Sequence, residues 1–399
     1  MSQRISTGLL YSQSLANMLQ RQKVLTDLQT QLATGKKLVT AKDDPVAAGA
    51  AVGLDRALAE LERFGKNANT VANRLNLQEN LLAEAGDTLA RANDLAIQAN
   101  NGSLSADDRR SIAAELRSLR EQLLSIANAT DGSGRYLFAG SADDSAPFSK
   151  SGNSVTYNGD QTQRRVEIAP ETFVLDAWPG SEIFMRVRTG DGTVQGLAAA
   201  GNTGTGLLTD YGRSSTGSWN GEGFTVVFTG ADSYDIVDEA LNVLDSGTWA
   251  SGDDISYGGL RLRIEGEPAA GDSFGIGPAP TSDAFSTLDR LVAALEDDDP
   301  TLAGKAARQN ALQAAMRDVA RLAERMIDAR AAGGAQLAMI DAAEAVREAN
   351  DVTIKTTLSE MRDLDYAEAI SRYQIETTAL QTAQQVFARM QGMTLFDLI

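Results

Sequence analysis

Carboxylates are the side chains of this chain that could carry out acid–base chemistry, because its 399 residues include neither histidine nor cysteine. That absence excludes Ser-His-Asp and Cys-His nucleophilic machinery, disulfides and thiolate metal sites. Carboxylate pairs stand at Asp143-Asp144 and Asp253-Asp254, and an acidic run covers 296–299. Paired carboxylates can hydrolyse a glycosidic bond, but like-charged neighbours in glycine-rich segments are typical of solvated loops. We therefore expect no catalytic residue.

Two further patterns resemble ligand sites only weakly. The glycine-rich run 201–206 lacks the lysine that a phosphate-binding loop requires after it. The acidic run 296–299 lacks the spacing of a calcium-binding loop, and Pro300 directly after it indicates the end of a helix. We expect neither a metal ion nor a cofactor.

The net charge of −18 bears on the partners of the chain. A phosphate backbone or an anionic membrane surface needs clustered lysine and arginine, so we expect no nucleic-acid partner and no membrane partner. No run of about 18 apolar residues and no cationic start with an apolar core are present, which predicts neither a membrane-spanning helix nor a cleaved signal. The lack of cysteine suits the cytosol, and equally a protein that is exported unfolded.

Two apolar stripes near the chain ends are the strongest signal. Both follow the 3-4 alternation that places side chains on one side of a helix, where burial requires another helix. Polar residues inside the stripes set register and partner choice at a cost in stability. We predict an assembly interface that consists of Leu15, Met18, Gln22, Leu25, Gln29, Leu32, Tyr366, Ile370, Tyr373, Thr377, Leu380, Gln384 and Phe387. The alternative is an ordinary bundle within one chain.

The composition of the middle differs from that of the ends. Residues 141–283 hold 22 of the 36 glycines, six of the eight prolines and all three tryptophans. Strand-like segments recur there between turn residues, which predicts an inserted β-rich domain with its own aromatic core. The flanks lack such breakers and keep helical periodicity. The predicted fold is therefore mainly α, with a long antiparallel helical bundle or coiled coil formed by the N- and C-terminal segments around a β-rich insertion.

Five segments follow from this division. They are a terminal-core helix at 1–45, the first half of a helical bundle at 46–140, a β-rich outer domain at 141–283, the second half of the bundle at 284–354, and a second terminal-core helix at 355–399. Their charges differ: 141–283 carries 21 acidic and eight basic residues, whereas 1–45 has a net charge of +3 and 351–399 of −3. Charges of opposite sign at the two ends can steer association.

Local signals indicate where several helices begin and end. Gly35 ends the first helix, and Asp43 or Asp44 caps the next one, with Pro45 in its first turn. Ser105 caps another helix, whose first turn is acidic. The stripe of that helix is Ile112, Leu116, Leu119, Leu123 and Ile126, and a later helix has the stripe Leu312, Ala315, Val319, Leu322, Met326 and Ala329.

Strand signals are less certain in their pairing. The pattern predicts a hairpin between 155–157 and 164–168 around Asn158-Gly159-Asp160. It also predicts strands at 135–140, 182–188, 224–229 and 255–264.

Particular sequence segments resemble the flagellin superfamily. Residues 32–48, with Asp43-Asp44-Pro45, are similar to its N-terminal segment, and 134–140 are similar to its transition into the β region. Residues 365–370 and the closing Leu-Phe-Asp-Leu-Ile of 395–399 are similar to its C-terminal end. The Asp-Asp-Pro form and this ending resemble the hook-associated members at the hook–filament junction more than flagellin itself. The resemblance covers about 1–140 and 284–399.

The resemblance implies a structural subunit of the bacterial flagellum, not an enzyme. It implies export through the flagellar type III channel without signal cleavage, and terminal helices that order on incorporation. The implied partners are other copies of the chain, another hook-associated protein on the hook side, flagellin on the filament side and a cytoplasmic export chaperone. Three alternatives remain open: flagellin itself, a cytoplasmic coiled-coil scaffold, and a carboxylate-dependent glycan hydrolase in 141–283.

Overall fold

The computed structural model describes residues 7–101, 104–215 and 217–392. The closing 395–399 segment, used for the resemblance above, lies outside these described residues. Six α-helices were identified within them: α1 Thr7–Thr34, α2 Pro45–Ala99, α3 Ala106–Ala127, α4 Ala284–Glu296, α5 Leu302–Arg362 and α6 Tyr366–Gly392. The chain divides into two compact units, one formed by 1–66 with 343–399 and the other by 67–342. We call them the terminal unit and the central unit.

The strands all lie between α3 and α4. They are β1 Phe148–Ser151, β2 Ser154–Tyr157, β3 Arg165–Ala169, β4 Thr172–Leu175, β5 Val187–Arg188, β6 Val194–Ala198, β7 Leu207–Arg213, β8 Phe224–Phe228, β9 Ser233–Val237, β10 Val243–Thr248, β11 Asp254–Tyr257, β12 Leu260–Glu265, β13 Ser273–Pro278 and β14 Thr281–Ser282. The predicted fold class, long helices at both ends around an antiparallel β insertion, is confirmed.

The terminal unit contains α1 and α6 as an antiparallel pair. Tyr11 lies against Phe387, with ring centroids 4.9 Å apart, near one end of the pair. At the other end, Gln29 Nε2 donates to Tyr373 Oη at 3.0 Å. The pairing of an early α1 residue with a late α6 residue establishes the antiparallel direction.

The central unit has a helical core that is formed by the periodic apolar residues of its helices. Ile112, Leu116, Leu123 and Ile126 of α3 are buried and Leu119 is half-buried against the same core, and the complete predicted stripe of α5 is buried as well. α3 and α4 pack together and run antiparallel, since Arg120 Nε lies 2.8 Å from Asp289 Oδ1 while Arg109 Nη2 lies 3.0 Å from Asp298 Oδ1. The stripes predicted for these helices are confirmed, because each of them meets neighbours on its apolar side.

Caps in the central unit also follow the sequence signals. Ser105 accepts from the Asp108 N–H at 3.1 Å, and Asp108 Oδ2 accepts from the Ser105 N–H at 3.2 Å, so the two residues form a capping box. Asp283 caps α4 by accepting from the Ser286 N–H at 2.7 Å. These local hydrogen bonds satisfy helix donors that would otherwise lack partners.

The β insertion contains a second core. Its five-stranded antiparallel sheet has the order β10-β9-β8-β13-β6, and a three-stranded sheet has the order β11-β12-β7. Apolar residues of both sheets alternate inward and meet, which is typical of a sandwich. Phe228 lies edge-on to Trp249 and Phe274, with centroids 5.0 and 6.0 Å away. The predicted aromatic core of the insertion is confirmed for residues 194–276.

The hairpin predicted between 155–157 and 164–168 is wrong. β2 pairs with β1 instead, and β3 pairs with β4. Two-residue connections join each pair, with Gly152 at φ +62° in the first and Glu171 at φ +59° in the second. Turns this short place their flanking strands side by side. The Asn158–Asp160 segment turns away, and the Asp160 N–H donates to the Ala139 carbonyl oxygen at 3.1 Å.

Two strand predictions before residue 190 are also wrong in part. Residues 135–140 form only an isolated bridge, between Tyr136 and Thr130. Residues 181–185 form a π-helical turn, and β5 follows it. Phe138 and Phe184 are fully buried in the helical core, edge-on to each other with centroids 5.3 Å apart. β propensity reflects burial as much as backbone preference, so buried apolar loops imitate strands.

Candidate assembly interface

The connector from α1 to α2 is built around the residues of the Asp-Asp-Pro motif. Asp43 Oδ2 accepts from the Thr40 N–H at 2.7 Å and the Val39 N–H at 3.1 Å, which closes a tight turn. The Thr40 hydrogen bond is the largest cause that lowers the pKa of Asp43. Asp44 Oδ1 accepts from the N–H groups of Val46 and Ala47 at 3.0 and 2.9 Å. Asp44 is therefore the α2 cap, and the proline after it occupies the first helical position.

Gly35 ends α1 in a conformation that requires glycine. Its φ is +69°, in the left-handed region that residues with a side chain avoid. A Cβ atom on Gly35 would lie 2.8 Å from Tyr366 Oη. The close approach of α6 to this turn therefore depends on the missing side chain.

The two interhelix connectors are joined to each other. The Lys37 N–H donates to the Arg362 carbonyl oxygen at 2.7 Å, and the Leu364 N–H donates to the Gly35 carbonyl oxygen at 3.0 Å. Arg362 also binds the Asp55 carboxylate with two guanidinium nitrogens, and this hydrogen bonding lowers the pKa of Asp55. α1 thus ends and α6 begins at one hydrogen-bonded point, which sets their register.

The predicted interface residues fall into two groups. Those on the inner side of the α1–α6 pair are half-buried: Met18, Leu25, Leu32, Tyr373, Thr377, Leu380 and Phe387. The others are exposed: Leu15, Gln22, Gln29, Tyr366, Ile370 and Gln384. Gln29 of the exposed group still donates to Tyr373 across the pair, but α6 and α1 leave all six residues of that group exposed to solvent in a single copy.

Sequence reasoning missed three residues of the seam between α1 and α6. Leu28 is buried, with 6% of its surface exposed, and it lies one turn from Leu25 and Leu32. Arg21 Nη1 lies 2.8 Å from Glu376 Oε2, so a charge pair occupies the seam between the two helices. A heptad frame that includes 21, 25, 28 and 32 also keeps 4-3-4 spacing, and that signal could have identified Leu28. No local signal could have paired Arg21 with Glu376.

The outer faces of the same helices carry uncovered apolar side chains. Leu9 and Leu19 of α1 are each 58% exposed, and Ile375 of α6 is 63% exposed. A groove of about 570 Å³ lies along the pair, and its lining includes Met18, Val386 and Phe387. These exposed apolar side chains are spread along both helices, as on a helix face that packs lengthwise against another helix. The terminal pair therefore presents a surface that another helix could cover.

The candidate chemical groups have structural partners. Asp143 is buried and lies 3.0 Å from Arg164 Nη2, while Asp254 accepts from Arg263 Nε and Nη2 at 2.9 and 3.0 Å. The glycine-rich 201–206 run folds around Asp272, whose carboxylate accepts from the N–H groups of Thr203 and Gly204 at 2.7 and 3.0 Å. Within the described residues, no group of three or more Asp and Glu side chains could hold a metal ion. No helix in this part of the chain is long and apolar enough to cross a membrane.

Paired terminal helices around an antiparallel β insertion define a flagellin-type subunit, and the chain ends match the corresponding families. The bacterial flagellin N-terminal helical region matches residues 5–143, and the bacterial flagellin C-terminal helical region matches residues 317–399. The resemblance to the flagellin superfamily is thereby confirmed.

Comparison with individual proteins places the chain within one group of the flagellin superfamily. The chain is 25% identical, over 398 residues and 99% of each chain, to flagellar hook-associated protein 3 of Escherichia coli strain K12. It is 58% identical to FlgL of Xanthomonas campestris, whose crystal structure has a TM-score of 0.74 and covers 77% of this chain and 99% of its own. The structure of flagellar hook associated protein-3 from Legionella pneumophila is 27% identical in sequence and has a TM-score of 0.73. It covers 77% of this chain and 98% of its own chain. The chain belongs to the FlgL family of flagellar hook-associated proteins.

Proposed function

We propose that this protein is a structural subunit of the bacterial flagellum that joins the hook to the filament. One observation carries the proposal: the terminal helices pair within one copy, yet they leave a second set of apolar residues uncovered. Membership of the FlgL family supports the location, because relatives are named hook-associated and junction proteins. A joint between two polymers needs a subunit that adheres through its ends and requires no catalytic residue.

The assembly interface consists of the thirteen predicted terminal residues, in two roles. The half-buried group holds α1 against α6, and the exposed group, with Leu9, Leu19 and Ile375, contacts neighbouring subunits. Burying one leucine or phenylalanine contributes roughly 1.5–3 kcal/mol. Several such contacts offset the entropy of fully ordering α1 and α6, whose seam is only partly buried in one copy, so complete ordering of the ends and incorporation are coupled.

The partners follow from position in the polymer. Other copies of this chain form the layer, another hook-associated protein lies on the hook side, and flagellin lies on the filament side. A cytoplasmic export chaperone would cover the apolar C-terminal helix before export through the type III channel. A subunit whose ends are held in one copy only by a partly exposed seam can release them for passage through a narrow channel.

Deletion of residues 1–34 tests the proposal. We expect the truncated chain to remain a folded monomer, because the core of the central unit is untouched, but to be unable to join the hook. The measurement is filament attachment in cells that lack the native subunit, with circular dichroism of the purified protein as the folding control. Attachment at the normal level would show that the terminal helices are dispensable.

Two point substitutions compare the contribution of the α1–α6 seam with that of an exposed position in the β insertion. Leu380→Asp places a charge in the α1–α6 seam, whereas Asp254→Ala removes the two partly exposed ion pairs that Asp254 forms with Arg263 and Arg261 in the β insertion. We expect filament attachment to fall sharply for the first and to stay near normal for the second. Equal effects would contradict a role for the terminal seam.

The alternatives have their own measurements. Flagellin should extend indefinitely in a polymerisation assay, whereas a junction subunit should stop after a limited layer. A cytoplasmic scaffold should be absent from the secreted fraction. A glycan hydrolase should release reducing sugar from cell-surface glycans when the full chain is added.

A further inference from the structure

The central unit contains two separate hydrophobic cores. The core that α2, α3, α4 and α5 build follows the chain as far as Val187 and resumes at Ala284. The buried residues of the second core lie between Val194 and Ile276, in the strands of the β insertion. A segment with a hydrophobic core of its own behaves as a separate folding unit. We call residues 189–280 the outer module.

The chain enters and leaves the outer module through a narrow neck. β5 and β14 form it, two residues each, and they pair antiparallel with Arg188 opposite Thr281. Next to them the Thr189 N–H donates to the Pro280 carbonyl oxygen at 3.0 Å. Two strands this short add little stiffness by themselves. The neck is therefore a point where the backbone can bend, since hinges between domains consist of a few residues at the ends of elements.

A buried carboxylate holds the neck against the helices. Asp318 Oδ1 of α5 accepts from the Gly190 N–H at 2.9 Å, and Asp318 Oδ2 lies 3.0 Å from Arg290 Nη2 of α4. Asp318 is 3% exposed, so water does not compete for this hydrogen bond. The neck is thus the fixed point about which the outer module can turn.

Two polar side chains of α5 hold the outer module at a second place, along β7. Asn310 Oδ1 accepts from the Leu208 N–H at 2.9 Å, and Asn310 Nδ2 donates to the Gly206 carbonyl oxygen at 2.9 Å. Arg317 Nη2 donates to the Thr209 carbonyl oxygen at 2.9 Å. We call Asn310 and Arg317 the clamp.

The clamp lies on the side of α5 that faces away from the helical core. Asn310 and Arg317 are seven residues apart, close to two turns, whereas the buried Val319 is nine residues from Asn310, which is two and a half turns. The guanidinium of Arg317 also lies 4.4 Å from the ring centre of Tyr211. α5 therefore holds the helical core by apolar packing and β7 by polar contacts. Polar interfaces between domains of one chain permit relative motion.

An open cleft separates part of the outer module from the helices. Its volume is about 460 Å³, and its walls include Leu197 and Ala200 at the end of β6, Ala293 of α4 and Ala311 of α5. Leu197 is 47% exposed. The interior of a folded domain is close-packed, so the module and the helices are not packed together here. The cleft leaves room for the module to change its position.

We propose that the outer module is hinged. It pivots about the neck between the clamped position and a second position in which the clamp is open and the cleft has a different width. The helical core is unchanged by this motion, so the body of the subunit can keep its place while the β insertion adjusts to its surroundings. The hinge belongs to a single copy and does not depend on the proposed joining role.

Distances between spin labels test the hinge, because the chain has no cysteine of its own. One full-length variant carries Thr248→Cys on β10 and Ile327→Cys on α5, both at exposed positions. The control variant carries Thr248→Cys and Ser256→Cys, which both lie in the outer module. We expect double electron–electron resonance to give two distances, or one broad distribution, for the first pair. The control pair should give a single narrow distribution.

Opening the clamp should change the first distribution and not the second. Asn310→Ala and Arg317→Gln are added together to both labelled variants. Each hydrogen bond of the clamp has a modest net value. We expect the ratio of open to clamped molecules to rise about ten-fold, which corresponds to about 1.4 kcal/mol. Asn350→Ala, at an exposed asparagine further along α5, is the matched substitution and should leave the ratio unchanged.

Three results would overturn the hinge. A single narrow distance for the first pair, the same with and without the clamp, would show that the outer module is rigidly attached. Broadening of the control pair by the clamp substitutions would show that the module unfolds and does not pivot. An equal change with Asn350→Ala would show that the clamp is not the restraint. Filament attachment is not measured here, so failure of the hinge and failure of the proposed function are distinguishable.

Discussion

The α1–α6 pair and the α3–α4 pair carry the same apolar spacing, yet they bury it differently. Leu116 and Leu123 of α3 and Leu288 of α4 are fully buried, because α2, α5 and the loops of the central unit surround them. On α1 and α6, six of the thirteen predicted residues remain exposed, three of them glutamines, because among the described elements each of these helices packs extensively only against the other. A heptad stripe therefore shows that a helix needs a partner, and not whether the partner belongs to the same copy.

The sharpest test of this difference compares one leucine from each pair. Leu123→Ala should lower the free energy of unfolding by about 2–5 kcal/mol, because it leaves a cavity in a closed core. Leu15→Ala should change it by no more than about 0.5 kcal/mol, because Leu15 is exposed in a single copy. Urea denaturation of the purified monomers measures both. Similar losses would mean that the outer face of α1 is already covered within one copy.

Two glycines test whether the register of the terminal pair depends on its connector. Gly35→Ala should destabilise the terminal unit by about 1–3 kcal/mol, because alanine is strained at φ +69° and its Cβ would meet Tyr366 Oη. Gly333→Ala is the matched control inside α5, where a Cβ meets nothing within 4 Å. It should stabilise the protein by about 0.5–1 kcal/mol. Amide exchange of α1 and α6 locates the loss, and unchanged protection after Gly35→Ala would contradict the connector's role.

Asp318 tests how the central unit tolerates a buried charge. Its Oδ1 accepts from the Gly190 N–H at 2.9 Å, and its carboxylate is 3% exposed. Burial raises the pKa of Asp318 above its usual value, so the folded state binds the proton more tightly than the unfolded state. The stability gained from that proton is present at low pH and is lost as pH rises through the raised pKa.

Asp318→Asn keeps an acceptor for Gly190 but does not titrate. Relative to this variant, the parent protein should therefore lose stability as the pH rises from about 4 toward neutrality. Thermal unfolding across that range measures the difference. A constant difference at all pH values would show that Asp318 titrates alike in both states.

The smallest expected effect concerns the charge pair in the terminal seam. Arg21 and Glu376 are 42% and 29% exposed, so water screens their interaction. A double-mutant cycle with Arg21→Gln and Glu376→Gln should give a coupling of about 0.2–1 kcal/mol in the monomer. A larger coupling in the assembled layer would show that neighbouring subunits exclude water from the seam. No coupling in either state would leave the apolar contacts as the source of register.

Helix boundaries, apolar stripes and the β-rich middle could be predicted from the sequence alone, because they depend on local chemistry. Gly35, Ser105 and Pro45 mark helix boundaries because each acts on the backbone beside it, through φ, a cap hydrogen bond or a missing N–H. The stripes of α3 and α5, and the change to a β-rich middle, are equally visible, because a period of 3.6 or 2 needs only neighbouring residues. The residues of the terminal interface were also chosen by this means, and their contacts with other subunits stay a prediction.

Tertiary structure decided what depends on residues far apart in the sequence. The burial of Phe138 and Phe184 among helices and the meeting of Arg21 with Glu376 required the whole chain to close, whereas the pairing of β2 with β1 follows from the two-residue turn at Gly152 and is a local signal that the sequence analysis missed. Sequence periodicity cannot predict such contacts. Their energy arises from desolvation and packing between segments that are far apart in the sequence, and no local pattern shows which of these segments will meet. The division of one apolar stripe into an inner and an outer group has the same origin, since the position of the second helix decides which side remains open.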